Sequence, residues 1–322
     1  MSIIHQEQSA QHPEVTVVSG TVPIRTSAEI TDNEPFSVAI VKSGDEPAHT
    51  LHSPGVGQTS DWLTERAAHN MAATGSAYGH DVVMSAAPNH QKYANRDLRR
   101  DPEAYRDVVK DKSAQRLHGI QDILKNEEIL APDANLTGHS LGGMDTAEML
   151  LRYPDVIARA VAFVDYAGMT AMSEGDILMG LTKSSMPYDH ANDLIGLHAG
   201  AEWLYDKVRL GSQSMKLVTD NKTNQDIAEL LVRRPQLAVT LVASGAGKFQ
   251  TLQEVYQALS AAEAEEVTER GRQVNLLGRT VVQEGGHRAS ATKDGAAQEV
   301  SVIEHISGGR QLPPITSRIT KQ

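Results

Sequence analysis

The feature that most constrains this chain is the run Gly138-His139-Ser140-Leu141-Gly142-Gly143. It stands between a short β-prone stretch at residues 135–137 and a helix predicted over 141–153. A serine between two such glycines, leaving a strand and entering a helix, demands a tight turn in which Ser140 sits in a strained backbone conformation with its hydroxyl above the sheet edge. A Cβ at 138 or 142 would collide across that turn. The helix N-terminus behind Ser140 offers partial positive charge to a developing oxyanion. The run therefore asks for a sheet whose strands feed helices.

The rest of the chain supplies one. Two β-rich segments, 22–30 and 36–42, flank the turn cluster Asp32-Asn33-Glu34-Pro35, and residues 1–20 read as a polar extension that frays. Strand and helix then alternate: strands at 48–52, 81–85, 135–137 and 158–164, helices at 61–74, 102–125 and 141–153. Ala114, Leu117, Ile120 and Leu124 share one face of the second helix. Such alternation implies parallel βαβ units covered on both faces. It breaks at Gly168; residues 169–235 read as helices, and strands return at 237–243 and 280–283, with a last helix near 296–306. The expected organisation is a core of 21–168 and 236–322 interrupted by a helical cap of 169–235.

Composition removes several function classes. With 41 acidic against 30 basic residues the net charge is −11, and no basic run offsets it, which argues against nucleic acid as a partner. There is no cysteine, hence no disulfide, thiolate metal site or thiol nucleophile. The longest apolar runs, 160–164 and 237–243, are far short of the roughly 20 residues of a membrane span. The first residues lack the pattern of a signal peptide, so the expected compartment is the cytoplasm. No His/Asp/Glu cluster shows metal-ligand spacing; Asp189, His190 and Asp193 are read as cap surface. Gly245-Ala246-Gly247-Lys248 fails as a phosphate loop, because Val242 and Phe249 occupy positions that need Gly and Ser or Thr. Neither a metal nor an organic cofactor is expected.

The Gly-His-Ser-Leu-Gly elbow in this setting resembles the α/β-hydrolase superfamily, with similarity in element order over about residues 36–306. The resemblance implies a mostly parallel eight-stranded sheet with helices on both faces, a helical cap after the sixth strand, and a triad in chain order Ser, acid, His. Ser140 is then the nucleophile. His287, in Gly285-Gly286-His287 between the last strand and last helix, resembles the family's general base. His139 is the bulky residue usual before the nucleophile, and His305 belongs to the last helix. The acid's usual slot after the seventh strand, Ser244–Gln250, holds no carboxylate. Asp165, after the sixth strand, is the candidate, with Glu254 or a water-supported dyad as alternatives. Leu141 N–H is one oxyanion donor. Leu51-His52-Ser53-Pro54-Gly55 resembles the family's His-Gly-x-Pro-Gly loop with a glycine missing; alignment on Pro54-Gly55 gives the second donor position to Ser53.

In the insertion, Met169, Met172, Met179 and Met186 either dock helices or line a pocket for an acyl chain, with Met169 and Met172 the substrate-binding candidates. The expected activity is that of a serine hydrolase acting on a carboxylic ester or related acyl bond of a small molecule. An acyltransferase, or a ligand-binding protein without turnover, on the same scaffold are the rival readings.

Overall fold

Apolar residues in the central strands alternate with partners on the opposite face, and this period of two builds a sheet with a separate core on each side. The computed structural model describes residues 4–25, 31–42, 44–55, 61–75, 81–86, 102–164, 222–234, 237–244 and 277–281. Among them are the strands β1 (His5–Gln8), β2 (Thr16–Arg25), β3 (Thr31–Val41), β4 (Ala48–Ser53), β5 (Val82–Ser85), β6 (Leu130–His139), β7 (Ala160–Val164), β8 (Ala238–Ser244) and β9 (Leu277–Val281). The helices are α1 (Asp61–Gly75), α2 (Pro102–Asn126), α3 (Leu141–Arg152) and α4 (Lys222–Arg233). No helix among the described residues is long and apolar enough to cross a membrane.

The strands form one sheet in the order β1-β2-β3-β5-β4-β6-β7-β8-β9. From β5 to β9 the pairings are parallel, while β1, β2 and β3 form an antiparallel edge. In β3 and β5, Val38, Ile40 and Val83 join the large core made with α2, α3 and α4. Their neighbours Ala39, Val41, Val82 and Met84 pack instead on Ala67, Ala68 and Met71 of α1. Helices thus cover both faces. Ala114, Leu117, Ile120 and Leu124 all lie in the large core, as their spacing on α2 predicts.

The sheet order contains a switch point. From β4 the chain runs through α1 to β5 on one side, then through α2 to β6 on the other side of β4. The carboxyl ends of β4 and β6 are therefore neighbours at a point where the winding reverses, which is where open α/β sheets bind ligands. Ser53 stands in register with Gly138 at that edge.

Three sequence expectations need correction. Among the described residues the sheet has nine strands where eight were expected, because part of the extension read as frayed is a strand: His5–Gln8 pairs with Thr16–Ser19. The four β1 side chains are all exposed, so no apolar pattern marks the strand. Asp32–Pro35, expected as a turn, runs within β3 opposite Thr21–Ile24. Pro35 fits there because β5 covers β3 only from Val38 onward, so a missing N–H on that side breaks no ladder. Finally, α4 falls within the range read as cap, yet Ile227 and Leu230 are buried in the large core.

A charged clamp holds α4 in place. Lys110 of α2 pairs with Asp226 of α4 and lies 3.6 Å from Glu148 of α3, whose carboxylate accepts from Arg152 Nε at 2.5 Å. Burial pushes the Asp226 carboxyl up, and the Lys110 ammonium draws it back. Arg234, just past α4, donates to the carbonyls of Leu150, Tyr153, Pro154 and Val156 and so satisfies the exposed end of α3. The helix that starts at the serine turn is anchored at its far end by this clamp.

Candidate active site

Ser140 joins β6 to α3 with φ 53° and ψ −120°. Among the described residues only Glu128 shares a positive φ without being glycine. A Cβ in this region strains the backbone, at a cost of order 1–3 kcal/mol that the surroundings must sustain. They do so from two directions: Ser140 N–H donates to Val164 O at 2.9 Å, and Gly143 N–H donates to Ser140 O at 3.1 Å. The flanking glycines are required by contact. A Cβ on Gly138 would lie 2.6 Å from Gly143 Cα, and one on Gly142 would lie 2.1 Å from Ser53 O and 2.5 Å from Pro54 O.

The loop after β4 therefore lies directly on the first turn of α3. Its Gly55 stands against the nucleophile candidate: a Cβ there would be 2.8 Å from Ser140 Cβ and 2.9 Å from His139 Nδ1. Leu141, the first residue of α3, and Ser53 are both buried at this junction. His139 is buried too and packs against Gly55, which accords with a structural part. The approach of Gly55 is not visible in the sequence reading, which assigns the loop's role to Ser53; only the register of β4 on β6 brings it out.

His52 lies beneath this loop, fully buried on the face opposite Leu51, with Nδ1 2.7 Å from Thr137 Oγ1. Burial lowers its pKa from the ordinary 6.5 to about 4. The folded state thus binds a proton less readily than the unfolded chain, so its contribution is complete above pH 6.5 and is lost as the pH falls toward 4. Between pH 7.5 and 5 this amounts to about 2 kcal/mol. Urea unfolding at the two pH values is expected to show this fall in wild type and to lack it in His52→Asn. An equal fall in both proteins would assign the acid sensitivity elsewhere.

Of the residues singled out in the sequence, Ser140, Leu141 and Ser53 are brought together. Asp165, Met169, Met172, Met179, Met186, Asp189, His190, Asp193, Lys248, Glu254, His287 and His305 lie outside the described residues. Val164, which precedes Asp165 in the chain, accepts the hydrogen bond from Ser140.

No protein-family model matches the chain, and no curated protein matches it. Solved structures do. A ferulic acid esterase superposes with a TM-score of 0.50 at 12% identity, over 91% of this chain and 99% of that one. The chain has the α/β-hydrolase fold. A carboxylesterase structure from the thaumarchaeon Nitrososphaera gargenis gives 0.47 at 12% identity, over 89% of this chain and all of the other. One from Bacillus coagulans gives 0.47 at 10% identity, over 91% and 99%. Within the α/β-hydrolase fold, the strained serine stands at the switch point of the sheet, where the carboxyl ends of β4 and β6 are neighbours.

Proposed function

We propose that the chain is a serine hydrolase cleaving a carboxylic ester or related acyl bond, with Ser140 as nucleophile. The observation that carries this reading is the backbone of Ser140, a non-glycine residue at φ 53° between a strand and a helix N-terminus. A serine has no structural reason to occupy a position that glycine fills without strain. The ferulic acid esterase neighbour, by its name, adds support for ester chemistry.

In this mechanism His287 takes the proton from Ser140 Oγ as the oxygen attacks the substrate carbonyl carbon. Leu141 N–H and an N–H from the 53–55 loop hold the tetrahedral oxyanion. Ser53 is the donor by alignment; Gly55, which abuts Ser140, is the other N–H in the loop, since Pro54 has none. Collapse expels the alcohol, which takes the proton from His287, and leaves an acyl-enzyme. Water then attacks the acyl carbon while giving a proton to His287, and on collapse the acid leaves as Ser140 Oγ takes that proton back. Asp165 is assigned the task of holding the imidazole in the right tautomer. The insertion read from the sequence at 169–235, apart from the core-packed α4, is assigned the part of a cap, with Met169 and Met172 toward the acyl group.

The test is intact mass after exposure to a fluorophosphonate. One adduct is expected on the wild type, none on Ser140→Ala, and strongly slowed labelling on His287→Ala and Asp165→Asn. A wild-type protein that takes no adduct would sink the hydrolase reading, and one that labels at unchanged rate as Asp165→Asn would remove that residue from the triad.

A further inference from the structure

A second constellation lies in the connection between β1 and β2, where it meets α1. One ligand atom from each of His12, Glu14 and His69 falls within 4.8 Å of the other two. His69 Nδ1 contacts Glu14 Oε1. The His12 ring stacks on that of His69, with centroids 4.6 Å apart and planes at 22°. We propose that these three side chains bind one zinc-class divalent ion, with water as the fourth ligand, and so clip the β1–β2 connection to α1.

Donor chemistry favours that occupant. Two imidazoles and one carboxylate with an open fourth position form a tetrahedral zinc set. Magnesium and calcium ask for oxygen ligands in greater number, whereas imidazole nitrogen suits zinc and its neighbours in the first transition row. With metal–ligand bonds of about 2.0–2.1 Å, tetrahedral donors stand roughly 3.4 Å apart, so a triangle with no edge above 4.8 Å needs an adjustment of about 1 Å and a turn of the stacked rings to aim their nitrogens at one point.

Hydrogen bonds of the chain itself shape the loop. Ser9 Oγ accepts from the backbone N–H of Gln11 at 3.2 Å and of His12 at 3.0 Å, and donates to Glu65 of α1. Ser9 N–H donates to Val15 O at 2.9 Å, and Val15 N–H to His12 O at 2.8 Å. His12 and Glu14 thus sit on a loop tied to the same helix that carries His69, one turn beyond Glu65. The His69 and Glu14 side chains are 38% and 42% exposed, which leaves an entry path for a hydrated ion. A simple His69–Glu14 ion pair would account for two of the three groups; it gives no part to the stacked His12. Residue spacing does not reveal the set, because His69 comes from another element.

Chelator-treated full-length protein should take up one equivalent of Zn²⁺ by titration calorimetry and unfold at a higher temperature with the ion present. The double variant His12→Ala/His69→Ala is expected to bind at least about 100-fold more weakly and to lose the thermal shift. The exposed pair His5→Ala/His49→Ala serves as the comparison and should keep both. Glu14→Gln, nearly isosteric, should weaken binding about 10-fold even if the double variant folds poorly. Absence of stoichiometric uptake by the wild type, or equal loss in the comparison pair, overturns the site.

Discussion

Ser140→Gly should unfold at a higher urea concentration than the wild type while losing turnover by about 10⁵-fold or more. The two effects come from one position. Ser140 has φ 53° and ψ −120°, a conformation that a Cβ makes costly by about 1–3 kcal/mol and that glycine adopts freely. Glycine also loses more chain entropy on folding, by roughly 0.4–1 kcal/mol, so the expected net gain is about 1 kcal/mol. Ser140→Ala separates the causes. It removes the same oxygen but keeps the Cβ, so it should be as inactive as the glycine variant without the gain in stability. Equal stabilisation of both variants would mean that a buried hydroxyl, not backbone strain, is what the site sustains. A loss of less than about 100-fold in either would take the nucleophile's role from Ser140. A stability gain bought by inactivation is the pattern expected where strain serves chemistry.

What the sequence discloses depends on whether a property belongs to one segment or to a meeting of segments. The elbow is legible because Gly138 prevents a collision with Gly142 and Gly143 inside the turn itself, whereas the clash that Gly142 avoids, with Ser53 and Pro54, comes from another element. The buried face of α2 is legible for the same reason, since Ala114, Leu117, Ile120 and Leu124 carry the helical period themselves. β1 is not, because its side chains are all exposed and its only warrant is the edge that β2 offers. The cluster at Asp32–Pro35 has turn composition, but the long ribbon with β2 overrides it. Nor can α4 be assigned to cap or core from its own residues. Its amphipathic face fits either place, and the Lys110–Asp226 pair and the seats of Ile227 and Leu230 decide for the core. The His12, Glu14 and His69 cluster and the approach of Gly55 to Ser140 arise in the same way, from elements distant in the chain.

Gly142→Ala should be the most damaging single methyl group at the site. The added Cβ would stand 2.1 Å from Ser53 O, 2.5 Å from Pro54 O and 2.5 Å from the Ser53 carbonyl carbon. All three are backbone atoms, so no rotamer change relieves the contact; either α3 or the end of β4 must move by about 1 Å, and overpacking of this kind costs about 1–3 kcal/mol or more. Neither can move alone. Ser53 is held in register with Gly138, and Gly55 abuts the Ser140 side chain, so a shift of the loop opens the space where the proposed oxyanion donors converge. The expected outcome is a loss of about 3 kcal/mol in urea unfolding and, at a temperature where the variant is folded, a fall in kcat/KM of order 100-fold. Gly44→Ala is the fitting comparison, since a Cβ there meets nothing within 4 Å. It should leave stability within about 0.5 kcal/mol and activity unchanged. If Gly142→Ala matched it in both measurements, the loop after β4 could not rest on the first turn of α3, and the second oxyanion donor would have to come from elsewhere in the chain.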